Sequence, residues 1–232
     1  ITSFKEIEFA KSIGLDVIIT DHHDIQSDKI PNAYSIINPK RTDNAFTFNA
    51  LAGVGVAFML ILNLYEKLKT KEEAYVYLDL VAIGTIADIV PLVKENRIFA
   101  KHGLEKLLYS ENKGLRFLIT KLFETAKLEF TTYDVGFVIA PVFNAAGRLK
   151  DAKMVVKLLT SDNDREIEVI SKELINKNFE RRELQTTLVE LVEANIQKNN
   201  LNDNLVIVDA SSEYHHGIIG IIASKVVDAH YK

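Results

Sequence analysis

Apolar positions recur at helical spacing along most of the chain, and short unbroken apolar runs interrupt them. Phe4 to Ser12 sets Ile7, Phe9 and Ala10 among charges, and Gly14 supplies a stop before Asp16 to Thr20 reads as a strand. Together they form the αβ half of a βαβ unit. VIIT, at 17–20, is apolar throughout instead of alternating, which predicts a central parallel strand covered on both faces. Tyr34 to Ile37 is a second such run, closed by the turn signal Asn38-Pro39. Leu51 to Leu68, Glu72 to Ile89 and Arg97 to Leu108 then carry long apolar faces, as helices packed on a sheet and on each other do. Gly53 and Gly55 give the first of these room for close backbone approach. Shorter helices are predicted at Leu115 to Phe123 and Asp134 to Ile139, the latter ending at Pro141, with VFNAAGRLKD following as a loop.

Neither Gly nor Pro occurs between Asn163 and Lys198, which predicts one helix of roughly 50 Å at about 1.5 Å per residue. Its apolar residues gather at the two ends, Ile167, Ile170 and Leu174 and then Leu184, Leu188, Leu191 and Val192. Between them NKNFERRE is polar except for Phe179, a pattern that suits a helix docked at each end and bridging two domains. LVIVDA then reads as a new buried strand and Gly217 to His230 as the helix after it. The predicted fold is therefore α/β, a parallel-sheet domain with many helices joined by the long helix to the start of a second α/β domain. The segments expected are 1–160, 161–200 and 201–232.

Composition narrows the chemistry. With 232 residues and 47% hydrophobic content the chain can bury a real core, and no apolar run approaches the roughly 20 residues of a membrane span. The opening ITSFKEIEF lacks the basic end and apolar core of a secretory signal, so the cytoplasm is the default expectation. Zero cysteines confine any metal to His and carboxylate ligands. A net charge of −4 provides no global attraction to nucleic acid, which would need a local basic patch.

The strand VIIT runs straight into Asp21, His22, His23 and Asp24, and ligands of open α/β sheets gather at the carboxyl ends of strands. Two imidazoles and two carboxylates there read as ligands of a divalent cation, or as a solvated loop in which Asp24 caps the next segment. In GTIADIVPL, Asp88 stands inside an apolar stretch before a proline, where it either ligates a metal or caps a helix end. FNAAGRL offers the Asn144 amide and the Arg148 guanidinium as a phosphate-binding set, a weak signal alone. YHHGIIGIIAS sets His215, His216 and Gly217 at the start of a helix, where free N–H groups favour anions, or forms a tight turn with solvent-facing histidines.

The order of these pieces, DHH after VIIT, then GTIADIVPL, NAAGRL, a long helix and HHGIIGIIAS, resembles the DHH phosphoesterase superfamily, most closely its bacterial single-strand-specific exonucleases. The resemblance covers essentially the whole chain. It implies His22 and Asp88 as ligands of catalytic Mn²⁺ or Mg²⁺, Asp21 as the residue that orients the site, and His23 facing the scissile phosphate. It also implies substrate contacts from Asn144 and Arg148, and a nucleic-acid-clamping, DHH-associated domain announced by His215, Gly217 and Ser224. The implied reaction is hydrolysis of single-stranded DNA from the 5′ end in repair and recombination, between two metal ions, without a covalent intermediate. Histidine among the carboxylates favours Mn²⁺. Arg181 and Arg182 either track the DNA backbone or form an ordinary solvated helix face.

Two departures from the family pattern stand out, beside one variable position. Val142 and Phe143 replace an arginine usual just before the asparagine, Tyr214 replaces a tryptophan, and His216 occupies a variable position. The family's aspartate-rich first motif and its Asp-x-Gly motif do not precede ITSFKEIEFAKSIG. The expectation is accordingly an internal fragment, inactive by itself, of a protein that binds single-stranded DNA and unidentified replication or repair proteins. Two alternatives share the motifs: a phosphodiesterase acting on small oligonucleotides or cyclic dinucleotides, and a noncatalytic nucleic-acid-binding relative.

Overall fold

The computed structural model describes residues 1–26, 29–149 and 152–231, without the side chains of Arg148 and Leu149. These residues form two compact units, one of 1–111 with 120–140 and one of 112–119 with 141–232.

In the first unit, α1 (Phe4–Ser12) ends in a Schellman motif. Gly14 takes φ 81°, and the Leu15 and Gly14 N–H groups donate to the Ala10 and Lys11 carbonyls. The chain then enters β1 (Ile18–Thr20), which pairs in parallel with β2 (Ser35–Ile37), Ile19 opposite Ile36. The predicted cover on both faces is absent: Ile18 is 58% exposed and Thr20 exposed, and the sheet has only two strands among the described residues.

Helices supply the rest of this unit. α2 (Gly53–Lys67) is followed by a 3₁₀ segment at Lys71–Tyr77, by α3 (Leu78–Ala87) and by α4 (Lys94–Leu107). Val56, Phe58, Val81 and Phe99 pack into one core, with Phe58 and Phe99 edge to face at 5.3 Å. Small residues let these helices touch. A Cβ on Gly84 of α3 would come within 2.7 Å of Val54 Cγ1, and one on Gly103 of α4 would collide with the Leu78 carbonyl and Ala82. Inside the same apolar region, Asp79 accepts hydrogen bonds from Ser110 Oγ and the Leu80 N–H, both at 2.6 Å, while its burial pushes the carboxyl up.

α5 (Lys113–Leu122) comes next, and a π-helical segment at Asp134–Ile139 runs on into α6 (Ala140–Leu149). Pro141 does not end the helix as predicted: the helix runs unbroken across it, and the wider π turn just before it makes room for the proline ring and its missing N–H. The loop expected at 142–149 is helical too. Val142, Ala145 and Ala146 bury a stripe that outweighs the breaker residues Asn144 and Gly147. At the head of the π segment, Asp134 is held by Lys127 Nζ and by the N–H and hydroxyl of Thr131, each at 2.8 Å.

The second unit contains α7 (Lys153–Thr160), which the sequence pattern did not announce, α8 (Asp164–Lys198) and α9 (Ile219–His230). Asn163 caps α8 by accepting the Arg165 and Glu166 N–H groups, and Asn200 at φ 51° follows its end. The apolar ends of α8 are buried as predicted. Ile167, Ile170 and Leu174 lie at one end, Leu188, Val192 and Ile196 pack against α9 at the other, and Phe179 between them is 59% exposed. LVIVDA is not a strand: Leu205, Val206 and Val208 are exposed, since the run has no partner strand among the described residues.

Two outcomes test this packing. Gly103→Ala should lower stability by about 2–3 kcal/mol, because the added methyl meets a backbone carbonyl that cannot rotate away. Gly220→Ala in α9, where nothing lies within 4 Å, should raise it by up to ~1 kcal/mol, both read from denaturation midpoints. Asp134 provides a pH test. Burial alone would raise its carboxyl, but the bonds from Lys127 and Thr131 outweigh that and hold it lowered. A depressed folded value means stabilisation that is complete above the ordinary Asp value of ~3.9 and is lost as pH falls through the folded value. The stability gap between wild type and Asp134→Asn should thus be flat above about pH 5 and shrink below about pH 4.

Candidate metal centre

The site grows from the end of β1. The Asp21 N–H donates to the Ile37 carbonyl at 3.0 Å, extending the parallel ladder by one bond, and the chain then turns. Asp21 itself builds that turn. Its Oδ1 accepts the His22 N–H at 2.7 Å, the His23 N–H at 3.1 Å and a bond with His23 Nδ1 at 2.7 Å. From β2, Asn38 Nδ2 donates to the His23 carbonyl at 3.0 Å, and Lys40 pairs with Asp24 at 2.9 Å.

His22 and His23 leave this turn in different environments. Their rings are 4.5 Å apart, yet the His23 side chain is 74% exposed and that of His22 only 21%. The His22 ring rests on the first residue of α2, so that a Cβ on Gly53 would lie 3.2 Å from His22 Cδ2. Its Nδ1 stands 3.4 Å from Asp88 Oδ2, at the end of α3. His22, Asp24, Lys40, Ala50, Val90 and Pro91 line a cleft of about 390 Å³ at this point. A larger hollow of about 520 Å³, beside Ile37, Phe46, Leu51, Val56 and Met59, is mostly apolar and holds no such pair.

Asp88 follows the last turn of α3, and Ile89 next to it takes φ 57°. This is the C′ position, where helices normally place glycine. In a β-branched residue the left-handed backbone costs about 1–2 kcal/mol, and Ile89, 89% exposed, recovers nothing by burial.

The donor chemistry fits a divalent cation. Neighbouring ligands of an octahedral ion at about 2.1 Å lie roughly 3 Å apart, close to the 3.4 Å between His22 Nδ1 and Asp88 Oδ2. Ligand atoms of Asp21, His22 and His23 also fall within 4.8 Å of one another. Of the two groupings, His22 with Asp88 is the better suited, because Asp21 Oδ1 already accepts three hydrogen bonds. The mixture of imidazole and carboxylate suits Mn²⁺ better than Mg²⁺.

Asn144, Arg148, His215, Gly217 and Ser224 all belong to the second unit. Asn144 is exposed on α6, and the Arg148 side chain lies outside the described residues. The exposed His215 accepts the Gly217 N–H on Nδ1 at 3.1 Å, and Ser224 Oγ donates to the Gly220 carbonyl within α9. Sequence reading missed Asn96, which is fully buried in α4 and donates to the carbonyls of Ala50 and Pro91, two residues that line the cleft. Its only sequence signal is an amide among the apolar positions of a helix.

Residues 1–85 match the DHH family, N-terminal domain. The whole chain is 39% identical to the single-stranded-DNA-specific exonuclease RecJ of Bacillus subtilis, covering 28% of it, and 36% identical to that of Escherichia coli, covering 42%. Among solved structures it is similar to exonuclease RecJ bound to manganese, with TM-score 0.85, 32% identity and all of this chain on 57% of that one. It is also similar to RecJ of Thermus thermophilus in complex with Mn²⁺, with TM-score 0.84, 32% identity and 34% of that chain covered. The chain thus spans less than half the length of these curated relatives.

If the Gly53 contact sets the His22 ring, Gly53→Ala should shift the His22 imidazole NMR resonances, while changing stability by less than about 1 kcal/mol.

Proposed function

We propose that the chain belongs to the DHH family and that the protein it represents is a metal-dependent exonuclease that hydrolyses single-stranded DNA from the 5′ end. The observation that carries this reading is the 3.4 Å approach of His22 Nδ1 to Asp88 Oδ2, two donors brought together from distant parts of the chain beside a cleft that His22 lines. The likeness of the whole of this chain to part of single-stranded-DNA-specific exonucleases supports the substrate.

In this reading His22 and Asp88 hold a divalent cation, Mn²⁺ before Mg²⁺, and a second ion completes the centre in the intact protein. Such ions supply Lewis-acid polarisation of a phosphodiester and activation of water. Asp21, saturated with hydrogen bonds, fixes the turn that aims both imidazoles. His23, largely exposed, faces the scissile phosphate. Asn144 and Arg148 grip the DNA backbone, and His215, Gly217 and Ser224 belong to a DHH-associated domain that clamps it. The segments follow as a catalytic domain to about residue 160, a connecting helix to about residue 200 and the clamp domain beyond. The protein works in the cytoplasm in DNA repair and recombination. No helix among the described residues is long and apolar enough to cross a membrane.

The test is Mn²⁺-dependent digestion, by the full-length protein, of a 3′-labelled DNA strand about 30 nucleotides long, well beyond the ~4–16 nucleotides one single-strand-binding module covers. Progressive shortening from the 5′ end is expected. His22→Ala and Asp88→Ala should each slow it by at least about 100-fold while single-strand binding persists. Wild-type rates in either variant would overturn the ligand assignment, and cleavage of dinucleotides with intact long DNA would move the protein to the small-substrate branch.

A further inference from the structure

Asn96 lies in the first turn of α4 with no exposed surface. Its Nδ2 donates to the Ala50 carbonyl at 2.7 Å and to the Pro91 carbonyl at 3.0 Å. Carbonyl oxygens only accept, so the amide is oriented by its partners: the nitrogen faces both, and Oδ1 points away, buried and without a partner among the described residues. A buried side chain with an unsatisfied oxygen is costly to keep for packing alone. Both carbonyls belong to residues that line the cleft at His22.

Each bond secures the support of one candidate ligand. Ala50 enters α2 through Leu51 and Ala52, and the next residue, Gly53, carries the His22 ring. Pro91 closes the turn that begins at Asp88 and passes through the strained Ile89. Bonded to both segments at once, a single amide sets the distance between them. The turn after Asp88 would otherwise be free to relax, since Ile89 holds a conformation that its side chain disfavours.

We propose that Asn96 is a positioning residue that holds His22 and Asp88 at ligating distance by tying the entry of α2 to the strained turn after α3, an inference that rests on the metal reading above. Outer residues that orient metal ligands alter affinity without touching the ion.

The experiment is a Mn²⁺ titration of the full-length protein without DNA, following free Mn²⁺ by electron paramagnetic resonance, with thermal unfolding recorded alongside. Asn96→Ala should weaken Mn²⁺ binding about 10-fold. Ser110→Ala, which breaks the buried bond to Asp79 away from the cleft, should destabilise the fold but keep affinity within about twofold of wild type. Asn96→Ala binding Mn²⁺ as tightly as Ser110→Ala overturns the proposal. Should Asn96→Ala fail to fold, Asn96→Ser decides: a single hydroxyl donor can serve only one of the two carbonyls, so about 10-fold weaker Mn²⁺ binding supports the proposal and wild-type affinity overturns it. His22→Ala separates the two readings. Lost affinity there beside unchanged affinity in Asn96→Ala sinks the positioning role alone, whereas wild-type affinity in His22→Ala sinks the metal centre and the role with it.

Discussion

A histidine at the end of a strand can meet a carboxylate at the end of a helix only if the intervening helices approach almost to backbone contact. Gly84 meets Val54 where α3 crosses α2, and Gly103 meets Leu78 and Ala82 where α4 crosses α3. Any side chain at these points would push the helices apart, and Asp88, at the far end of α3, would move with them. The 3.4 Å between His22 and Asp88 is therefore the end result of helix spacing set in the core. The local turn at Asp21 aims His22, but the helix crossings bring Asp88 to it.

Two kinds of constraint thus meet at the centre. Asp21 acts within three residues, accepting N–H groups and an imidazole from its immediate neighbours, so its effect is written in adjacent letters. Asn96 acts across 46 residues to Ala50, and only the folded chain reveals the bond. The strain at Ile89 belongs to the second kind, since a left-handed β-branched residue persists only where surrounding contacts over-determine it.

Legibility of the sequence follows the same division. The long helix α8 is readable because an uninterrupted run of helix formers and an Asn163 cap are local properties. The Asp21 to Asp24 cluster is readable because an apolar strand running into titratable residues is a local break in pattern. NAAGRL reads as a loop and is helical. Gly147 costs about 1 kcal/mol in a helix relative to Ala, and burial of Val142, Ala145 and Ala146 exceeds that, a balance that depends on what the stripe packs against. LVIVDA fails in the opposite sense: β-branched residues make a strand only beside another strand, and the run itself does not say whether one is there.

The hydrogen bonds at Asp21 also bear on specificity for the ion. Asp21 commits its Oδ1 to three of them, and His23 joins that network through Nδ1, which leaves Nε2 as its outward nitrogen. What remains most available for an ion is His22 with Asp88, one nitrogen and one oxygen donor. Mg²⁺ retains its waters and prefers oxygen throughout, while Mn²⁺ accepts an imidazole, so the hydrogen bonds that occupy Asp21 also tilt the centre towards the softer ion.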